Sequence, residues 1–269
     1  MDIDYKSSLE AIQKLKRINC SLDTSYREII NIINKEIIIP YFILTIHEGE
    51  YLFRGRINNN CSYAHKADVS YNLNLDSIEI GRANYYRQSV FYASRNPETA
   101  IFELSYIAND VKIGEKETIT LGKWYVNKEI NVYAIIGDSE QLRKDKKSLE
   151  YYNQFVNKFT GHERQYIIEH LKYFSSEFAK NVNKNQQYEY NISCGIFNHL
   201  MLIREDATIG GILYPSVQWG KKDVNIALIP EFVDNNLILE SVGEFEIEIF
   251  DDKNGTIKQT KICDIRSFK

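Results

Sequence analysis

Apolar residues change their spacing repeatedly along this chain, and that switching constrains the fold more than any other feature. Leu9, Ile12 and Leu15, then Ile29, Ile32 and Ile33, recur at helical intervals with charges between them, so the first ~45 residues read as helical. Tyr51 to Arg56 reads as a strand opening a new unit, and Asn58 to Asp76 as a long polar surface loop. Ser89 to Ser94 is a short apolar strand. It runs into Asn96-Pro97-Glu98, a helix start with an N-cap residue, a proline at the first position and an acid in the first turn. That helix carries Thr99, Ala100, Glu103 and Leu104. Strands are expected over Thr118–Val126 and Glu129–Ile135, then a helical block from about Ser148 to Lys180, interrupted at Gly161. A further helix holds Ile192, Ile196 and Leu200, and Gly211–Val217 and Val224–Ile229 are again strand-like. From Leu237 the tail alternates (Phe245, Ile247, Ile249), as an edge strand or hairpin does. No regular strand–helix–strand rhythm emerges, so the expected class is α+β with a mainly antiparallel sheet.

A chain of 269 residues buries about 75% of its unfolded surface and needs no metal or disulfide to hold it. Its four cysteines, Cys20, Cys61, Cys194 and Cys263, form no C-x-x-C pair, and the five histidines are scattered, so no metal site is expected. A net charge of −4 supplies no basic footprint for nucleic acid. The N-terminus lacks a signal-peptide pattern, and the longest apolar run, Ile37 to Leu44, is short and broken by Pro40. The expectation is a soluble cytoplasmic protein with neither membrane nor nucleic-acid partner. Nineteen tyrosines against four prolines argue against long disordered linkers. The glycine-rich dinucleotide fingerprint, the P-loop, the H-E-x-x-H helix and the G-x-S-x-G elbow are all absent.

Four short segments remain in which a reactive or polar residue stands where a structural one would suffice. In Phe53-Arg54-Gly55-Arg56, strand alternation puts both arginines on one side. Two surface cations are the plain alternative; a clamp for a pyrophosphate is the functional one, suited to the planar guanidinium fork. Gly81-Arg82-Ala83-Asn84 is a turn with a further cation and an amide. Phe91-Tyr92-Ala93-Ser94 leads into the helix whose Glu103 lies between Phe102 and Leu104, where a carboxylate either reaches solvent or faces a cleft. Tyr214-Pro215-Ser216-Val217 ends a strand in a serine, ordinarily a cap or turn former.

In order and wording these segments resemble the RES domain family, named for its arginine, glutamate and serine. An arginine sits on an opening strand; a G-R-x-N turn, an aromatic strand ending in Tyr-x-Ser and a T-A-x-x-E helix follow. Far downstream come Y-P-S-V and an N-x-A-L strand, here Asn225-Ile226-Ala227-Leu228. The resemblance runs from about Tyr51 to Pro230 and suggests a helical N-terminal extension over 1–48, the RES domain over 49–235 and a C-terminal β tail packed on it over 236–269. It implies an ADP-ribosyltransferase-like fold and a toxin of a toxin–antitoxin pair that breaks the nicotinamide–ribose bond of NAD⁺. NAD⁺ is then a substrate rather than a cofactor.

By that resemblance Arg54, Tyr92, Glu103 and Ser216 are the catalytic set, with Arg56, Arg82, Asn84 and Ser94 binding substrate and no metal taking part. Whether Arg54 or Arg56 is the principal arginine stays open. Glu103 would stabilise the oxocarbenium-like transition state. Tyr92 would pack on the nicotinamide or its ribose. Ser216 would orient the carboxamide or ribose rather than attack, since no histidine adjoins it in sequence. The acceptor (water, phosphate or a protein side chain) is left open, as are a cognate antitoxin that blocks the cleft and self-association. A protein-modifying ADP-ribosyltransferase and a catalytically silent binding module are the rival expectations.

Overall fold

In the computed structural model the described residues are 4–20, 25–58, 63, 65–104, 115–137, 146–182, 186–204, 206–216, 223–248 and 259–260. Val217 and Ile249, parts of sequence patterns above, lie outside them, as do Cys61 and Cys263. The helical spacing at the N-terminus produces α1 (Tyr5–Leu15) and α2 (Ser25–Glu36). The Asp4 carboxylate caps the first of these, accepting the Ser7 N–H at 2.7 Å.

Residues 42–46, expected within the helical extension, form a strand instead, β1 (Phe42–Ile46). Phe42, Leu44 and Ile46 are buried while Ile43 between them is exposed, a period of two that the neighbouring isoleucine run obscured. Then follow β2 (Tyr51–Ile57), the short helix α3 (Lys66–Val69) and β3 (Phe91–Ser94). Next is α4 (Pro97–Phe102), started as expected: Asn96 Oδ1 accepts the Glu98 N–H at 2.9 Å and Pro97 occupies the first turn. The rest of the chain forms β4 (Lys116–Val126), β5 (Ile130–Ala134), α5 (Lys146–Val156), α6 (Gly161–Phe178) and α7 (Asn191–Ile203). Last come β6 (Ile209–Pro215), β7 (Val224–Leu228), α8 (Pro230–Asn236), β8 (Leu237–Glu248) and β9 (Gln259–Thr260). Gly161 separates α5 from α6 with a φ of +55°, a conformation that costs glycine little.

The class is α+β. The strands form one sheet in the order β1-β5-β6-β7-β3-β2-β4-β8-β9. Every neighbouring pair is antiparallel except β5 and β6. Of the two readings of the tail, edge strand or hairpin, the second holds: β8 pairs along the whole of β4 on one side and antiparallel with the next strand, β9, on the other, so β8 is not itself an edge.

Alternation sorts the central strands onto two faces. Val132, Leu213, Ile226 and Leu228 pack with Phe91, Trp124 and Leu171 on one. Tyr133, Ile212, Tyr214 and Ala227 pack on the other with Ile12, Ile29, Ile33, Phe178 and Phe197, so the N-terminal helices are part of a core and not an appendage. Each valine, leucine, isoleucine or phenylalanine among them contributes about 1.5–3 kcal/mol on burial. A third cluster, Ala100, Ile101, Ile119, Leu121 and Ile247, seats α4 on the far half of the sheet. Among the described residues no helix is long and apolar enough to cross a membrane.

Candidate active site

The sheet nearly divides between β2 and β3. Those strands pair at one position only, Phe53 opposite Ser94, whereas β2 pairs with β4 along its whole length and β3 pairs fully with β7. Where a ladder would otherwise continue, a cleft of about 480 Å³ opens, a volume within the range of small-molecule sites. Arg54 and Arg56 come from β2, Tyr92 from β3, Tyr214 and Asn225 from the adjoining β6 and β7, and Glu103 from the end of α4; all line it.

Arg54 spans the split. Its Nη1 donates to the Tyr92 carbonyl and its Nε to the Ser70 carbonyl, each at 2.9 Å, while the guanidinium lies over the Phe91 ring. Arg56 Nη2 donates to the same Ser70 carbonyl at 3.2 Å, so the two arginines do share a side of the strand. Arg56 Nε is buried without a hydrogen-bond partner. Burial, and then the neighbouring Arg56, push Arg54 down to about 9, which still leaves it charged near neutrality. Among the described residues no carboxylate pairs with either of them. That corner of the cleft therefore holds two uncompensated cations.

The third arginine is differently placed. Arg82 Nε and Nη2 donate to the Phe178 and Lys180 carbonyls at 3.0 and 3.1 Å, and its charge lies over the Tyr190 ring. Its Nη1 stands 3.8 Å from Glu103 Oε2, with both side chains under one-fifth exposed. Glu103 Oε1 accepts the hydroxyl of Ser216 at 2.5 Å, so the acid and serine, 113 residues apart in the chain, are direct partners.

Ser216 is fully buried and is not among the residues lining the cleft; its hydroxyl is committed to Glu103. Its main-chain N–H donates to the Asp223 carbonyl at 2.9 Å. The Asp223 carboxylate in turn accepts Thr99 Oγ1 of α4 at 2.6 Å, Ser94 Oγ at 3.4 Å and the Val224 N–H at 2.8 Å. One aspartate thus ties the segment holding Ser216 to the helix carrying Glu103. Ser94 belongs to this brace, wholly buried, and does not reach the cleft.

Asn84 likewise faces away from the cleft. Its amide donates to the Glu79 and Tyr85 carbonyls at 2.8 and 3.0 Å, and its Oδ1 accepts the Tyr92 hydroxyl at 2.7 Å. That hydroxyl also accepts the Ala83 N–H at 2.8 Å, so the polar end of Tyr92 fastens the turn while its ring lines the cleft. Burial raises the Tyr92 phenol above its ordinary value, which keeps it neutral. A side chain at Gly81 would meet Asn84 Oδ1 at 2.5 Å and Tyr92 Oη at 2.8 Å, which explains a glycine there.

Sequence reasoning missed Asp223 and Tyr190 altogether, and met Tyr214 and Asn225 only as motif letters. A strand position carrying an amide between apolar neighbours was the available signal for Asn225. Among the described residues no group of three His, Cys, Asp or Glu side chains is arranged to hold a metal ion. No family model matches the chain, and no curated protein matches it in sequence.

Proposed function

We propose that this cleft cleaves the nicotinamide–ribose bond of NAD⁺, as the resemblance to RES-domain toxins implies, on an ADP-ribosyltransferase-like fold. One observation carries the reading: among the described residues a single carboxylate, Glu103, held by a buried serine and faced by an arginine, shares one cleft with two cations that no described carboxylate pairs with. A dinucleotide presents the complementary pair of demands. Its pyrophosphate needs planar cationic donors, and its scissile ribose develops positive charge that a fixed carboxylate stabilises.

Arg54 and Arg56 hold the pyrophosphate. Glu103 lies along the ribose as the C–N bond breaks and neutral nicotinamide leaves with the electron pair; an oxygen of water, which gives up a proton to solvent, or of phosphate then bonds the anomeric carbon. Arg82 faces Glu103 and keeps it aimed. Ser216 acts through Glu103 as a positioning residue, a different task from the substrate contact expected of it. In a cell that also makes a blocking antitoxin, uncontrolled NAD⁺ loss would be the toxic output.

The test is NAD⁺ consumption by the purified protein with and without phosphate, beside Glu103→Gln. Wild-type turnover is expected, with Glu103→Gln slower by at least about 100-fold at unchanged circular dichroism. Near-normal NAD⁺ loss in that variant removes Glu103 from its role. Free ADP-ribose identifies water as acceptor, ADP-ribose-1″-phosphate identifies phosphate, and a labelled protein band moves the assignment to protein ADP-ribosylation. Retained NAD⁺ binding without consumption leaves a silent binding module.

A further inference from the structure

Asn225 is a wall residue whose chemistry the roles above do not use. The residue is 6% exposed, lines the cleft, and its side chain forms no hydrogen bond among the described residues. A carboxamide carries two N–H donors and a carbonyl acceptor, and leaving such a group unpaired away from bulk water is costly. Its surroundings offer no relief. On β7 it stands opposite Tyr214 of β6 on one side and Ser94 of β3 on the other. Ser94 is already spent on the Asp223 brace. Tyr214 is 3% exposed, lines the same wall, and its hydroxyl is likewise unbonded among the described residues. Burial, then the nearby Tyr92, hold that phenol neutral. The floor of the cleft therefore presents neutral donors and acceptors beside an aromatic ring, while the arginine corner presents charge.

From this juxtaposition we propose that Asn225 reads the carboxamide of the departing nicotinamide by two-point amide–amide hydrogen bonding, with Tyr214 flanking the ring, and so selects amide over acid. The ligand's identity rests on the NAD⁺ reading; the need for a donor–acceptor partner at Asn225 does not. A primary carboxamide meets the Asn225 N–H with its carbonyl and the Asn225 carbonyl with its own N–H. A carboxylate in the same place has no N–H to give, and sets a second oxygen against the Asn225 carbonyl with the Glu103 carboxylate in the same cleft. Ser216, buried on Glu103, leaves the carboxamide for another residue to recognise.

The experiment measures dissociation constants of nicotinamide and nicotinate by ligand-observed NMR, beside turnover of NAD⁺ and deamido-NAD⁺. It uses wild type, Asn225→Ala and the equal-sized Asn225→Asp, each checked by thermal unfolding. Wild type is expected to favour the amide at least about tenfold in both measurements, the scale set by one unpaired buried group. Asn225→Ala removes both contacts and brings amide and acid together. Asn225→Asp keeps an acceptor for the amide N–H and repels the acid, so its preference widens. A residue that merely supported the fold would shift both ligands alike in both variants. An unchanged amide-to-acid ratio in Asn225→Ala, or a ratio in Asn225→Asp that narrows as in Asn225→Ala, overturns the proposal. If NAD⁺ is consumed and the ratio is insensitive to Asn225, this inference fails and the catalytic reading stands. If no NAD⁺ is consumed but nicotinamide binds through Asn225, the reverse holds, and absence of both removes both.

Discussion

Two residues 113 positions apart meet over 2.5 Å, and that contact defines what each can do. A serine hydroxyl given wholly to a carboxylate is a poor ligand for substrate and a good guide for the acid it holds. Ser216→Ala should accordingly lower kcat for NAD⁺ about tenfold to a hundredfold, the range for losing a hydrogen bond to a charged group, while KM moves less than about threefold. Steady-state kinetics decide it: a raised KM with kcat intact would put Ser216 on the substrate instead. The arginines differ by the same criterion. Arg82 spends its donors on main-chain carbonyls and on Glu103, whereas Arg56 keeps a buried Nε without a partner. Of the residues read from sequence as substrate contacts, Asn84 and Ser94 serve the wall instead of the cleft. A short polar side chain beside a motif looks the same in one dimension whether it points in or out.

At the scale of elements, the β6–β7 ladder leaves no room for a side chain at one position, and a glycine stands there. A Cβ on Gly211 would stand 1.9 Å from the Ala227 carbonyl oxygen, inside any contact distance, and the obstacle is backbone that cannot swing aside. Gly211→Ala should destabilise the protein by at least about 2 kcal/mol, read as a fall in the urea midpoint; an unmoved midpoint would mean the ladder can shift at no cost. The strands and helices that hold the site were largely legible: the N-cap and proline of α4, the β2 arginines and the strand before Ser216 all form where their spacing predicts. Two things were not. β1 hid in an isoleucine-rich run whose composition suits either period, and was distinguishable only once Ile43 was seen exposed between buried neighbours. The interior position of β8 followed from long-range pairing with β4, which no local pattern encodes. Asp223 and Asn225 escaped for the same reason, since bracing and lining are relations between strands.

At the scale of the whole molecule, the N-terminal helices are joined to the body through a buried histidine. His170 Nδ1 lies 2.7 Å from the Tyr166 carbonyl, which can only accept, so that nitrogen carries the proton. Nε2 then accepts the Ser8 hydroxyl at 2.7 Å, and Ser8 Oγ accepts the Ile38 N–H at 2.9 Å. A neutral ring satisfies this chain of bonds, and burial favours that form. Burial lowers its affinity for a proton, against weaker opposition from the Tyr166 carbonyl and Glu169, and burial lowers His199 as well. Both histidines bind protons more readily once unfolded, so stability falls as pH drops below about 6.5, by at most about 1.4 kcal/mol per pH unit for each. Urea midpoints between about pH 7.5 and 5.5 should show this loss, and His170→Gln should flatten it; an undiminished slope would clear His170. A last consequence belongs to Arg54, the side chain that crosses the split in the sheet. Rivet and binding group are there the same guanidinium, so removing it loosens the joint and discharges the cleft in one stroke. A dead Arg54→Ala protein would therefore carry no information about chemistry, and neighbouring Arg56, bound to the Ser70 carbonyl but not across to Tyr92, is where phosphate recognition can be dissected without taking the joint apart.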